Sequence, residues 1–161
     1  MENNDLLRRL RYLVNMNENL MADTIELTGT SSNPDMLIAM LKQKDEAGYT
    51  VCPPKVISDF LDGLIIKKRG KSEDKSKLVI KPPIVPLTNN LILKKLRIAY
   101  ELRDDDIIAI FAMDKTYLSK SEVNALFRQP DHRNFKECKD QFLKSFIKGL
   151  SLWLHRKMGV D

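Results

Sequence analysis

Residues 3–14, NNDLLRRLRYLV, are repeated in altered form as NNLILKKLRIAY at residues 89–100. Both stretches place apolar residues at the three- and four-residue spacing of an amphipathic helix. A shift of 86 residues extends the match without a gap, so that residues 3–69 align with 89–155 and share 13 identities in 67 pairs. Chance matching at ordinary composition gives about 4 identities. The chain is therefore a tandem duplication.

Each copy is predicted to form four helices. The fold class is all-α, a tandem duplication of a four-helix repeat packed through apolar faces into one compact unit. Capping residues mark several helix starts. Asn3 or Asn4 is the predicted N-cap of the first helix, and Ser119 stands three residues before Glu122 at the spacing of a capping box. Asn33 precedes a proline at the start of the third helix in the first copy.

The fourth helix has an interior glycine at the same position in each copy, Gly63 and Gly149. Glycine inside a helix costs about 1 kcal/mol relative to alanine. Two such glycines predict a tight crossing with another backbone, either within a copy or between the copies.

Three segments follow from this alignment: a first helical repeat at 1–70, a linker at 71–88 and a second helical repeat at 89–161. The linker begins with the Lys- and Ser-rich run KSEDKSK and continues with three prolines. It is predicted to be a mobile tip followed by an extended, polyproline-like connector, with a short strand at Leu78–Ile80 as an alternative.

The composition is that of an ordinary globular protein. The chain has 161 residues, of which 43% are apolar and 30% charged, and no apolar run is long enough to span a membrane. The N-terminus lacks the features of a secretory signal. Two cysteines, Cys52 and Cys138, suit a reducing compartment as free thiols. We therefore predict a cytoplasmic protein without a membrane partner.

No complete catalytic, cofactor-binding or metal-binding pattern is present in the sequence, so we predict no enzyme activity, no cofactor and no metal. His132 lies six residues before Cys138, but Glu46 takes the equivalent place before Cys52. A cysteine nucleophile needs a basic partner, and only one copy offers one nearby. Both cysteines are therefore predicted to be small buried side chains.

Two pairs of polar residues are identical in the copies, Asp45/Asp131 and Arg11/Arg97. One interpretation is a pair of functional sites related by approximate symmetry. The other is structural: each Asp holds the loop before the fourth helix, and each Arg pairs with it. A pocket that gathers Asp45, Arg11 and Cys52 would favour an enzyme of unrecognised type.

Positive charge is unevenly distributed along the chain. Residues 1–70 hold 9 Lys and Arg against 10 Asp and Glu, whereas residues 89–161 hold 14 against 10. Basic residues recur at matching positions of the first helix of each copy, where they are suited to bind phosphates. The predicted nucleic-acid-binding residues are Arg8, Arg9, Arg11, Lys94, Lys95 and Arg97.

The sequence resembles the YehS-like family of bacterial proteins. The resemblance rests on three motifs: residues 89–99 (NNLILKKLRIA), residues 131–138 (DHRNFKEC), and residues 60–65 (FLDGLI) followed by Lys68-Arg69-Gly70. Each member of that family consists of two tandem copies of a domain of unknown function. The resemblance implies a bacterial, cytoplasmic protein, and it transfers no catalytic residue, substrate or partner.

Two functional hypotheses stay open. The first is a non-enzymatic module that binds RNA or nonspecific DNA through the basic residues of the first helices. The alternative is a protein-interaction or regulatory adaptor that uses an apolar groove between the repeats, with another protein or a second copy of the chain as partner.

Overall fold

The computed structural model describes residues 1–70 and 86–158. Within these ranges it contains eight helices and no strand, in two sets of four. The helices are α1 (Asn3–Val14), α2 (Glu18–Glu26), α3 (Pro34–Leu41), α4 (Pro54–Arg69), α5 (Asn89–Ala99), α6 (Asp104–Met113), α7 (Lys120–Leu126) and α8 (Asp140–Lys157). The predicted all-α tandem repeat is confirmed. The linker predicted at 71–88, including the strand at Leu78–Ile80, lies mostly outside the described residues.

The contacts divide the chain into two compact units, where the sequence analysis predicted one. The first unit comprises the described residues of Met1–Leu87 together with Ile98–Tyr100. The second comprises Thr88–Arg97 and the described residues after Glu101.

In the first unit, α1 and α2 each pack against both α3 and α4. The apolar stripes of these helices meet in one core because each presents leucine, isoleucine, methionine or phenylalanine on its inner face. The fully buried members of this core include Leu7, Leu10, Met21, Leu37, Ile57, Phe60 and Leu64.

The second unit repeats this arrangement with a more aromatic core. Helix α6 packs against α8 and α7. The ring of Phe111 on α6 lies 5.3 Å from that of Phe146 and 6.2 Å from that of Phe142, both on α8. Edge-to-face and tilted contacts of this kind add to the apolar burial of the rings.

Most of the predicted helix starts are confirmed, and one is wrong. The Asn33 side chain accepts a hydrogen bond from the Met36 amide at 2.8 Å, and Ser119 and Glu122 form the reciprocal bonds of a capping box. The N-cap of α1 is Glu2, however, and Asn3 and Asn4 lie inside the helix. Their side chains serve another purpose, described below.

The predicted helix crossing at the two glycines is confirmed, and it occurs inside each repeat. A Cβ atom on Gly63 would lie 1.9 Å from the carbonyl oxygen of Thr24 on α2. A Cβ atom on Gly149 would lie 2.0 Å from the carbonyl oxygen of Ile110 on α6. Real Cβ atoms do not approach this closely, so only glycine permits the observed approach of the second and fourth helices of each repeat.

Candidate functional site

The basic residues of α1 are largely engaged in contacts within their own repeat. Arg9 Nε donates to Asp5 Oδ2 at 3.0 Å. Arg8 donates from Nη1 to the carbonyl oxygen of Lys42 at 3.0 Å and lies 3.8 Å from the Asp5 carboxylate. The carboxylate of Asp5 therefore offsets part of the charge of both arginines.

Arg11 and Arg97 make the same ion pair in the two repeats. Arg11 Nη2 lies 2.8 Å from Glu18 Oε1, and Arg97 Nη2 lies 2.9 Å from Asp104 Oδ1. Glu18 and Asp104 are equivalent positions, each at the first residue of the second helix. A carboxylate there is also favoured by the helix dipole. Each arginine thus ties the first helix of its repeat to the start of the second, which is a structural role.

The predicted pairing of these arginines with Asp45 and Asp131 is wrong. Both aspartates are exposed, in the loop before the fourth helix. In the described part of the chain, no hydrogen bond or ion pair joins Arg11, Asp45 and Cys52.

The basic residues of α5 differ sharply in exposure. Lys95 is buried, with 1% of its surface exposed, so its ammonium group is not available to a ligand at the surface. Arg97 lies 4.6 Å above the ring of Phe127 and is occupied by Asp104. Lys94 is exposed, and of the six predicted residues it offers the most accessible cation. Within each repeat, the three predicted residues differ in exposure and in the groups they contact.

An asparagine in each repeat, buried in the first and half-buried in the second, holds the segment that carries the cysteine. Asn4 Nδ2 donates to the carbonyl oxygens of Met40 and Thr50, both at 2.8 Å, and its Oδ1 accepts from the Cys52 amide at 3.0 Å. All three polar sites of the amide group are therefore used. The contacts join α1 to residues 36 to 48 positions away in the sequence.

Asn90 makes the equivalent three bonds in the second repeat. Its Nδ2 donates to Leu126 and Lys136, both at 2.9 Å, and its Oδ1 accepts from the Cys138 amide at 2.8 Å. The neighbouring Asn89 Nδ2 donates to the Cys138 carbonyl at 3.0 Å. The repeated Asn-Asn pair is thus a structural clamp. The sequence contained a signal for it, since both asparagines are identical in the copies.

The two cysteines are buried, with 1% of their surface exposed, and carry free thiols. Burial raises the pKa of both Cys52 and Cys138 to about 12. Reactive cysteines are partly exposed and have lowered pKa values. The environment of these thiols therefore suits packing and is the opposite of what a thiolate nucleophile needs.

An exposed basic ridge lies on α8, and the sequence analysis did not single it out. We call Lys144, Lys148, Leu152 and Arg156 the α8 ridge. They follow one another at intervals of four residues, and so lie on one side of the helix. Lys148, Leu152 and Arg156 are exposed and Lys144 is partly exposed. The signal that could have revealed the ridge is the change from Asp62 in α4 to Lys148 at the equivalent position.

The surroundings of the α8 ridge include one acidic partner and the only tryptophan of the chain. Lys148 Nζ lies 3.2 Å from Asp114 Oδ1, with 67% of the lysine side chain exposed. The Trp153 ring is partly buried beside the ridge, and Lys157 Nζ lies 4.5 Å above its centroid.

The described residues include no group of three or more His, Cys, Asp or Glu side chains that could hold a metal ion. No helix within residues 1–70 and 86–158 is long and apolar enough to cross a membrane.

Comparison with known proteins agrees with the duplicated helical architecture. The model of the protein family of unknown function DUF1456 matches residues 3–70 and again residues 89–154. The uncharacterized protein YehS of Escherichia coli strain K12 is 42% identical over 159 residues, which cover 99% of this chain and 100% of that protein. The chain belongs to the DUF1456 family. No solved structure matches the chain.

Proposed function

We propose that this chain is a non-enzymatic module that binds the phosphate backbone of RNA, or of DNA without regard to sequence. The observation that supports the proposal is the charge of the second repeat, which holds 14 Lys and Arg against 10 Asp and Glu. Phosphate backbones attract such a surface through counterion release, and this attraction is independent of base sequence.

The contacts within each repeat indicate that the second repeat in particular exposes cations to a phosphate backbone. In the first repeat the arginines of α1 are paired with Asp5 and Glu18. The second repeat exposes Lys94 on α5 and the cations of the α8 ridge. The raised pKa values of Cys52 and Cys138 count against one alternative, a cysteine nucleophile, because such a thiol would be needed as thiolate near neutral pH.

Fluorescence anisotropy tests the proposal directly. The purified protein is titrated into labelled single-stranded RNA, hairpin RNA and duplex DNA, each at low and at physiological salt. We expect micromolar or tighter binding at low salt that weakens steeply as salt rises, with little difference between base sequences. Absence of binding to all three probes at low salt would overturn the proposal.

A second candidate is an adaptor that binds another protein. The exposure of Tyr12 on α1 favours it, since 77% of this residue is accessible to solvent and tyrosine is enriched in protein interfaces. Light scattering of the wild type and of Tyr12→Ala measures self-association. A wild-type oligomer that Tyr12→Ala converts to a monomer would support the adaptor, and a monomeric wild type would argue against a second copy as its partner.

A further inference from the structure

We propose that the phosphate-binding surface is the α8 ridge and that its ligand is the sugar–phosphate backbone of a nucleic acid. This inference rests on the proposed function and moves its location from α1 and α5, where the sequence analysis placed it, to the fourth helix of the second repeat.

The spacing of the ridge suits a linear polyanion. Residues four apart on a helix are separated by about 6 Å along its axis, so the distance from Lys144 to Arg156 is about 18 Å. One strand of a duplex places about five phosphates along that length. Each of the three cations of the ridge can therefore face a phosphate of one backbone segment, with other phosphates between them.

Beyond its first turn, α8 carries no acidic residue that would offset the charge of its basic residues. Asp140 is the only acidic residue of α8, whereas the helix carries Lys144, Lys148, Arg156 and Lys157. Cations in the last turn are favoured by the helix dipole. Lys144 and Lys148 lie in the first half of the helix, where the dipole gives them no such advantage, so a purely helix-stabilising explanation does not cover them.

Comparison with α4 shows that the ridge is peculiar to the second repeat. The positions equivalent to Lys148 and Leu152 are Asp62 and Ile66, which are 6% and 7% exposed. In α8 the same positions are open to solvent, and the acidic residue has become basic. A surface that differs from its duplicated counterpart in both charge and exposure is not required by the fold of the repeat.

The ion pair between Lys148 and Asp114 does not prevent phosphate binding. With most of the lysine side chain in solvent, such a pair contributes little stability. A phosphate group can approach Lys148 from the solvent side. The free energy gained from released counterions then favours replacement of the Asp114 carboxylate by phosphate.

The side chains of the ridge indicate that it binds nucleic acid without distinguishing one base from another. Bases are distinguished mainly by bidentate contacts in a groove, made by Arg to guanine or by Asn and Gln to adenine. The ridge has neither Asn nor Gln, and its single arginine lies in the last helical turn. A lipid surface would require a wide apolar face as well, whereas Leu152 is the only apolar member of the ridge.

The experiment uses the sole tryptophan, Trp153, as a local reporter. The full-length protein is titrated with unlabelled single-stranded RNA and with duplex DNA while Trp153 emission is recorded. The same complexes are followed by anisotropy of labelled probes. Because Trp153 adjoins the ridge, we expect its emission to change along the same binding curve as the anisotropy.

A charge-matched pair of double variants locates the site. Lys148→Glu/Arg156→Glu is expected to weaken binding at least tenfold and to lower the salt slope by about two. Lys120→Glu/Arg133→Glu changes the net charge equally at exposed positions of α7 and of the loop before α8, and is expected to bind within about threefold of the wild type. Circular dichroism and thermal melting confirm that each variant is folded, and Lys148→Ala/Arg156→Ala replaces the charge reversal if that variant unfolds.

Four outcomes would overturn the inference. If the wild type binds but Trp153 emission stays constant and the ridge variants bind normally, the site lies elsewhere and the proposed function survives. If both double variants weaken binding equally, net charge and not the ridge is responsible. If vesicles containing anionic phospholipid bind more tightly than either nucleic acid, the ligand is a membrane surface. Absence of nucleic-acid binding by the wild type refutes the proposed function together with the ridge.

Discussion

The two repeats make the same three hydrogen bonds at one pair of equivalent positions, Asn4 and Asn90. At another pair, Asp62 in α4 and Lys148 in α8, they share neither charge nor exposure. The first pair lies where each repeat closes on itself. The second lies on the fourth helix, where Asp62 is buried and Lys148 is open to solvent. The contacts that fold a repeat are therefore the same in both copies, while this position of the fourth helix differs in charge and in exposure.

The largest expected effect comes from the helix crossings. Gly63→Ala and Gly149→Ala each place a Cβ about 2 Å from a backbone carbonyl oxygen. Because backbone cannot move aside as a flexible side chain can, we expect each variant to lose about 3 kcal/mol of unfolding free energy or more, measured by urea denaturation. Lys67→Ala, at an exposed position of α4, is the control. A loss under about 1 kcal/mol at one glycine alone would show that the two crossings are not equivalent.

The asparagine clamps are expected to have the next largest effect. Asn4→Ala leaves two carbonyl oxygens and one amide without their partner in a buried place, and we expect a loss of about 2–3 kcal/mol. Asn90→Ala removes equivalent bonds in a less buried setting, so water can replace some of them and the loss is smaller. Equilibrium denaturation of both variants measures the difference. Equal and small losses would contradict the structural role assigned to the clamp.

The buried thiols predict a loss of stability at alkaline pH. A thiol in the unfolded chain ionises near pH 8.5, whereas burial raises the pKa of folded Cys52 and Cys138 to about 12. Above about pH 8.5 the unfolded state therefore releases protons that the folded state retains, and the free energy of unfolding falls as pH rises. Below that pH the contribution is fully present.

The thiol contribution is isolated by comparing the wild type with Cys52→Ala/Cys138→Ala. We expect the stability difference between the two proteins to shrink by about 2 kcal/mol per thiol between pH 8 and pH 10. A difference that stays constant over this range would show that the thiols ionise equally in both states.

The smallest effect is expected at the third helices, which begin differently in the two repeats. Ser119→Ala breaks the capping box of α7, and Asn33→Ala removes the cap of α3. Each is expected to cost about 1 kcal/mol.

Of the two third helices, α3 and α7, only α7 has a cap whose contribution to stability depends on pH. The hydrogen bonds from the Ser119 backbone and side chain lower the pKa of Glu122 below its usual value. The stabilisation by its carboxylate is therefore present above the unfolded pKa and is lost as pH falls through the lowered folded value. Thermal melting of the wild type, Ser119→Ala and Glu122→Gln between pH 2.5 and pH 6 should show this acid sensitivity in the wild type, a weaker one in Ser119→Ala, which keeps the backbone amide, and its loss in Glu122→Gln. The same acid dependence in Glu122→Gln would rule out the reciprocal cap as its source.

The duplication, the all-α class, the caps at Asn33 and Ser119, and the glycine crossings could all be predicted from the sequence. The duplication is visible when the chain is aligned with itself, and the others depend on patterns that are local to a helix: a 3.6-residue period, a side chain within reach of an amide three residues on, or a glycine where a Cβ would cost nothing locally. Such patterns act over a single helical turn, so they can be read without knowing what packs against the helix.

Which polar side chains face solvent depends instead on tertiary packing. Asn4 was predicted to cap α1 but bonds to groups 36 to 48 residues away. Lys95 was predicted to bind phosphate but is buried, and Lys148, at the place of the buried Asp62, is exposed on α8. The physical reason is that the burial of a charge and the partner of an amide are set by whichever segments pack against them. These segments are distant in the chain, and no local pattern specifies them.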